Sequence, residues 1–211
     1  MSKTGTTGRR AGLDRDDMVA VALRLVENEG ASALTMRRLA TELDVTTTTI
    51  YWHVGSRDEL VIEIIRRQSE RQAERPIEGT TPSERVMSAA RNVWINALEN
   101  RAITSLAHQT GTTSLLEHPQ EVALARELEA AGLTGPSGAD ALRSILTTVG
   151  GFLVRALRNE SAIPEARRSP ALWATTDADV DPRTIAALGG PVDLDNLFES
   201  TLQAIVDHHV Q

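Results

Sequence analysis

Apolar residues recur at helical spacing over most of the chain, and the polar residues between them mark where helices start and stop. Residues 1–12 are rich in Gly, Thr and Ser and show no such spacing. Asp14 then offers a side-chain oxygen as N-cap, with Asp17 three residues on, and Met18, Val21, Ala22 and Leu25 recur until Gly30. This predicts a helix over residues 15–29. Thr35 caps a second helix that turns Met36, Leu39, Ala40 and Leu43 inward and Arg37, Arg38, Thr41 and Glu42 outward. Asp44 ends it, with Val45 as the buried turn residue. A third helix, over about residues 47–53, has Ile50 and Val54 as inward anchors, and its threonines are mediocre helix formers, so packing must hold it. Ser56-Arg57-Asp58-Glu59 is a capping box that opens a fourth helix, carrying Leu60, Ile62, Ile64 and Ile65 toward Arg75, where Pro76 stops it.

Ile77-Glu78-Gly79-Thr80 reads as a joint. Thr81-Pro82-Ser83-Glu84 combines a capping box with proline at the first helical position, and predicts a helix to about residue 100 with Val86, Ala90, Val93, Trp94 and Leu98 on one face. Further helices are expected over about residues 103–109, 119–131 (stopped by Gly132) and 136–159. The last of these is apolar on more than one face and must be covered on more than one side. Residues 161–191 read as a long connection with a short helix after Asp181-Pro182, and a final helix over about residues 193–209 presents Leu194, Leu197, Phe198, Leu202, Ile205 and Val206. No useful stretch alternates with period two and no internal repeat is found, so the fold class is all-α. The expected organisation is a flexible basic arm over 1–13, a compact helical domain over 14–75 and a larger helical domain over 76–211.

Composition narrows the function. With no cysteine, disulfides and thiolate zinc sites are excluded, and no metal or cofactor is expected. No apolar run approaches the roughly 20 residues of a membrane span, and Met1-Ser2-Lys3-Thr4-Gly5 lacks the apolar core of a signal peptide, so a cytoplasmic protein is expected. The net charge of −7 is unevenly placed: residues 1–75 carry 12 basic and 12 acidic side chains, residues 76–211 carry 10 and 17. Basic charge is local, at Lys3, Arg9 and Arg10 and again at Arg37 and Arg38. A net-acidic body would be repelled by phosphate and would orient the N-terminal end toward a duplex.

The third helix holds the most informative segment, Thr46-Thr47-Thr48-Thr49-Ile50-Tyr51-Trp52-His53-Val54. Two of the chain's six aromatics lie there in a short polar helix, where apolar filler would be ordinary, as in a helix that touches something. With Leu34-Thr35-Met36-Arg37-Arg38-Leu39-Ala40 before it and Gly55-Ser56-Arg57-Asp58-Glu59-Leu60 after it, residues 14–67 resemble the DNA-binding domain of the TetR (tetracycline-repressor) family, a helix-turn-helix reader. The resemblance implies that the third helix lies in the major groove, with Thr46, Thr47, Thr48 and Thr49 meeting base edges and phosphates. Threonine gives either a hydroxyl or a methyl to a base, so discrimination per residue is modest. It further implies that Arg37 reaches the groove, that Tyr51, Trp52 and His53 press on the backbone and nearby bases, and that Arg57 clamps a phosphate. Arg38 reads as a solvated or helix-pairing charge, and the arm as either a tail or a minor-groove contact. Asp44 departs from the family, which most often has glycine at that turn; Asp tolerates left-handed geometry better than most residues.

The acidic half resembles the C-terminal part of the same family, at His118-Pro119 and at Glu127-Leu128-Glu129-Ala130-Ala131-Gly132-Leu133. This implies a homodimer on a palindromic operator and a small-molecule effector. Trp94, Leu98, Leu106, His108, Leu116 and Phe152 are the expected pocket, with Trp173 as a lid and an apolar or aromatic effector. Leu146, Gly150, Leu153, Leu157, Leu197, Phe198, Leu202 and Ile205 are the expected dimer face. The function expected is therefore a ligand-responsive transcriptional regulator, most often a repressor. The competing class is a helical small-molecule-binding or interaction module that does not bind DNA. An enzyme is disfavoured, since no phosphate-binding glycine loop, His-Glu-x-x-His pattern, Gly-x-Ser-x-Gly elbow or cysteine nucleophile occurs.

Overall fold

A computed structural model describes residues 14–158, 172–173, 175 and 179–210, with the side chains of 157 and 158 set aside. The arm residues Lys3, Arg9 and Arg10 and the side chain of Leu157 lie outside the described residues. No strand occurs among those described. The helices are α1 (Arg15–Glu29), α2 (Met36–Glu42), α3 (Thr47–Val54), α4 (Arg57–Ala73), α5 (Pro82–Glu99), α6 (Arg101–Thr110), α7 (Thr113–Ala130), α8 (Gly135–Arg158), α9 (Pro182–Leu188) and α10 (Leu194–His209).

Their starts follow local chemistry. Asp14 and Asp17 exchange capping bonds at α1, with Asp17 N donating to Asp14 Oδ1 at 2.8 Å. Thr35 accepts from the Arg38 backbone N at 3.1 Å, and Ser56 and Glu59 form the reciprocal box before α4. At α5 the Glu84 carboxylate takes the backbone N–H groups of Thr80 and Thr81 at 2.8 and 3.0 Å. Those bonds hold its pKa down at about 2, the Thr80 backbone contributing most. Gly30, at φ 86°, ends α1 as expected.

One helix starts earlier than the sequence suggests. α7 begins at Thr113 and carries Pro119 in its interior, whereas the spacing placed Pro119 at the helix start. Near the N-terminal end, the missing proline N–H removes a single ladder bond, and Leu116, 3 % exposed, anchors the preceding turn in an apolar core.

The chain divides into two compact units. The first comprises residues 1–71 and 100–118, the second 72–99 and 119–211. The second therefore does not run unbroken from residue 76, because Ile103, Leu106, Ala107 and Leu116 bury their side chains in the first core. That core is built on Met18, Ala22, Val26, Leu39, Ile50, Ile64 and Ile65. The core of the second unit gathers Val86, Ala90, Val93 and Trp94 of α5, Leu124 and Leu128 of α7, Ile145 and Val149 of α8, and Phe198, Leu202 and Val206 of α10. Two Arg–carboxylate pairs tie this unit: Arg85 grips Glu127 with two bonds of 2.7 Å, and Arg91 meets Glu199 at 2.7 Å.

Candidate functional site

In the first unit, α3 is anchored by Ile50 (0 % exposed) and Val54 (3 %), four residues apart on one side of the helix. The opposite side must then carry Thr47, Thr48, Tyr51 and Trp52, all of them exposed. Trp52 is 81 % exposed, which for a free indole in a well-packed unit marks a surface meant to be covered. His53 is half-buried and meets the Trp52 ring edge-on at 4.7 Å.

The four threonines divide into two pairs. Thr46 caps α3: its Oγ1 accepts from the Thr49 backbone N at 3.2 Å and lies 2.9 Å from the Thr49 hydroxyl. Those two hydroxyls satisfy each other, whereas the exposed Thr47 and Thr48 have no hydroxyl partner among the described residues. The turn between α2 and α3 closes through Asp44 at φ 51°, the left-handed geometry expected of it, and Val45 N donates to Ala40 O at 3.0 Å.

The arginines also separate. Arg38 donates to Glu29 at 2.9 Å and to Glu42 at 2.8 Å, pairing charges on α1 and α2. Glu29 is the main cause that raises its pKa above the ordinary guanidinium value. Arg37 is exposed, and its guanidinium is unpaired among the described residues. Arg57, expected as a phosphate clamp, is half-buried, and its Nε donates to the Leu34 carbonyl at 3.0 Å. Its role in the structure is to fasten the start of α4 to the turn before α2.

The residues expected to line an effector pocket are shared between the two cores. Leu106 (1 % exposed) and Leu116 (3 %) are filling in the first core, and His108 is exposed. Trp94, Leu98 and Phe152 belong to the second, where Trp94 stacks on Phe198 at 4.6 Å and Phe152 meets both rings edge-on. Trp173 is half-buried. A cleft of about 590 Å³ does open in the second unit, but none of the expected pocket residues lines it; its walls include Arg75, Met87, Arg91, Asn92, Ile95 and Gln203.

Among the expected dimer residues, Phe198 and Leu202 are 0 % exposed and Leu153 is 7 %. They are core of the second unit rather than surface, because the stacked aromatics draw α10 onto α5 and α8. Leu197 is exposed, and Leu146, Gly150 and Ile205 are half-buried.

Sequence reasoning missed a buried polar chain in the second unit. Gln72, Asn96 and Gln120 are each more than nine-tenths buried. Arg75 Nε donates to Asn96 Oδ1 at 2.9 Å, Asn96 Nδ2 to Gln120 Oε1 at 2.8 Å, and Gln120 Nε2 to Gln72 Oε1 at 2.9 Å. Arg75 is held in turn by Glu99. Gln72 Nε2, at the far end, is sealed from solvent and has no partner among the described residues. A donor buried in this way costs about 1–3 kcal/mol. The missed signal was positional: Gln120 lies four residues from Leu116 and from Leu124, and Asn96 three from Val93, so each polar side chain sits in an apolar stripe.

Comparison with known proteins adds to this geometry. The family model described as bacterial regulatory proteins, tetR family, matches residues 18–64. Tetracycline repressor protein class E of Escherichia coli is 41 % identical over 51 residues, covering 24 % of this chain and 24 % of that protein. The matched part thus spans about a quarter of that relative's length. The HTH-type transcriptional repressor DrrR1 of Streptomyces coeruleorubidus is 27 % identical over 82 % of this chain and 64 % of its own. Among solved structures, apo ActR from Streptomyces coelicolor superimposes with a TM-score of 0.75 at 27 % identity, covering 96 % of this chain and 97 % of that one. ActR in complex with actinorhodin gives 0.70 at 24 % identity, over 94 % and 97 %.

Proposed function

The chain belongs to the tetR family of bacterial regulatory proteins, and from that premise we propose that it is a ligand-responsive repressor that grips operator DNA as a homodimer. The observation that carries this reading is the outward face of α3, where Thr47, Thr48, Tyr51 and Trp52 stand exposed over a closed apolar core, with Arg37 of α2 exposed and unpaired among the described residues. On a duplex, Tyr51, Trp52 and His53 would set register against the backbone while Arg37, Thr47 and Thr48 read base edges. Thr46 and Thr49, their hydroxyls already engaged, would offer methyls to thymine.

One short helix contacts too little DNA for useful specificity, and a two-fold pair reads two half-sites about one helical turn apart or a multiple of it. For the dimer face we propose the exposed flank of α8 and α10, with Leu146, Gly150, Val154, Leu197 and Ile205. A small apolar or aromatic effector and a cytoplasmic location complete the reading; among the described residues no helix is long and apolar enough to cross a membrane. Release would follow by linkage, effector and operator preferring different dimer arrangements, with a coupling of about 1–3 kcal/mol, or 5- to 150-fold weaker DNA binding. The names of the relatives, repressors among them, support the regulatory role.

Gel-shift titration against the promoter of the neighbouring gene tests it. Binding should weaken steeply with salt and be lost in Tyr51→Ala with the fold intact. Unchanged binding in that variant would remove α3 as the reader.

A further inference from the structure

Two neighbouring rows of α5 side chains line the open cleft of the second unit: Met87, Arg91 and Ile95 in one, Glu84, Ser88 and Asn92 in the next. All of the residues lining it belong to this unit. The stretch from Arg75 to Gly79 lies against α5, where Asn92 Nδ2 donates to the Pro76 carbonyl at 3.0 Å and the Glu78 backbone N donates to Ser88 Oγ at 2.9 Å. Its volume of about 590 Å³ falls within the range of about 300–1,000 Å³ usual for small-molecule sites.

Other side chains fix the direction of its two arginines. Arg91 spends its Nε and Nη2 on Glu199, and Arg75 gives Nε to Asn96 Oδ1 at 2.9 Å and Nη2 to Glu99. Asn96 is 3 % exposed and is itself held by Gln120, so a buried amide chain sets the pose of a cleft side chain. The Nη1 group of each guanidinium makes no hydrogen bond among the described residues.

We propose that this cleft is a small-molecule site separate from the helical core and that it takes the ring of a neutral sugar. The inference goes beyond the repressor reading and does not depend on it. Charge argues against ionic ligands. Each guanidinium already faces a carboxylate, and Glu78 and Glu84 also line the cleft, so an anion would enter where acidic groups outnumber basic ones. An ammonium group would add a third cation beside Arg75 and Arg91. No aromatic side chain lines the cleft, so a flat ring finds no stacking partner. What stays open is a mixture of donors and acceptors. Nη1 of both arginines and the Ser88 hydroxyl can donate, while Asn92, its NH2 turned to the Pro76 carbonyl, has its oxygen left to accept. A hydroxyl group does both, and a sugar ring carries several of them around a face of C–H groups that Met87 and Ile95 can cover.

Saturation-transfer NMR on the full-length protein tests this with the methyl glycosides of glucose, galactose, mannose and rhamnose, beside glucuronic acid and glucosamine as charged counterparts. One or more of the neutral glycosides should receive saturation on its ring protons and shift the Asn92 side-chain amide. It should bind about threefold or more tighter than either charged sugar. Ser83→Trp places an indole in the cleft without removing any side-chain hydrogen bond found among the described residues, and should abolish the signal while the melting transition is kept. Arg91→Lys keeps a charge opposite Glu199 but loses the planar fork, and should weaken binding about fivefold. The proposal is overturned if none of the glycosides binds, if a charged sugar binds as well as the neutral ones, or if binding survives Ser83→Trp. Should Ser83→Trp melt early, Arg91→Lys decides, and unchanged binding in it overturns the proposal as well. None of these measurements uses DNA, so their failure leaves the regulatory reading as it stands.

Discussion

In the first unit the polar side chains that matter stand outside a closed apolar core; in the second they run through the core. Ile50 and Val54 pin α3 so that Thr47, Thr48, Tyr51 and Trp52 must face out. Gln72, Asn96 and Gln120 instead occupy places that a hydrocarbon would fill at less cost, and their hydrogen bonds end on an unsatisfied donor. A rigid outward face suits recognition of a stiff duplex. A buried amide chain instead fixes the register of the helices that carry it.

Substitutions on the two sides sharpen this contrast. The largest effects belong to the cores: Phe198→Ala should cost about 3–5 kcal/mol in urea unfolding and Ile50→Ala about 2–5 kcal/mol. A loss below about 1 kcal/mol at either position would mean that the cavity closes freely and the core is looser than described. Next comes Arg37→Ala, which should remove about 1–3 kcal/mol of discrimination between operator and mismatched sequences. Its unfolding free energy should stay within about 0.5 kcal/mol of the parent, because Arg37 is exposed and its guanidinium has no hydrogen bond or ion pair among the described residues. Equal loss on matched and mismatched duplexes would demote Arg37 to a phosphate contact.

Thr46→Ala should cost about 1 kcal/mol of stability through the lost cap, whereas Thr47→Ala and Thr48→Ala should be nearly silent in unfolding and visible only on DNA. The reverse pattern would undo the division of the four threonines. The smallest effect is one of acid. Glu84 has its pKa depressed to about 2 in the folded chain, so the stability that its cap lends α5 is complete above the ordinary carboxylate value and is lost as pH falls toward about 2. NMR titration of the Glu84 carboxyl should show that low midpoint, and Thr81→Ala should raise it only slightly, the Thr80 backbone being the principal donor.

Legibility followed the same contrast. Asp14, Thr35, Ser56 and Thr81 announce helix starts through bonds made within three residues, so the helices flanking the reader could be placed from local chemistry, while the capping role of Thr46 was not read. The direction in which Arg57 turns depends on Leu34, 23 residues away, and was not readable. Pro119 looked like a helix start because its ring fits the first turn, and only the burial of Leu116 shows that the helix begins earlier. Leu106 and Leu116 look like pocket residues from composition, yet which core receives an apolar side chain is a matter of tertiary packing. Phe198 and Leu202 were placed on the right stripe of α10, but a stripe alone does not tell a subunit interface from an internal core. The amides were the hardest to see, since glutamine on a helix is ordinarily solvated and only its register among leucines hints otherwise.

The exposure of Trp52 has an optical consequence. Trp52 stands 81 % in water while Trp94 is 5 % exposed and stacked on Phe198, so these two of the chain's three indoles emit from opposite environments, one in each unit. The long-wavelength part of the emission should be quenched when α3 settles on a duplex, and the short-wavelength part should shift when the second core opens. With the third tryptophan replaced (Trp173→Phe), the protein carries one intrinsic fluorophore in each unit, and the order in which operator and effector act on it can be followed without any label.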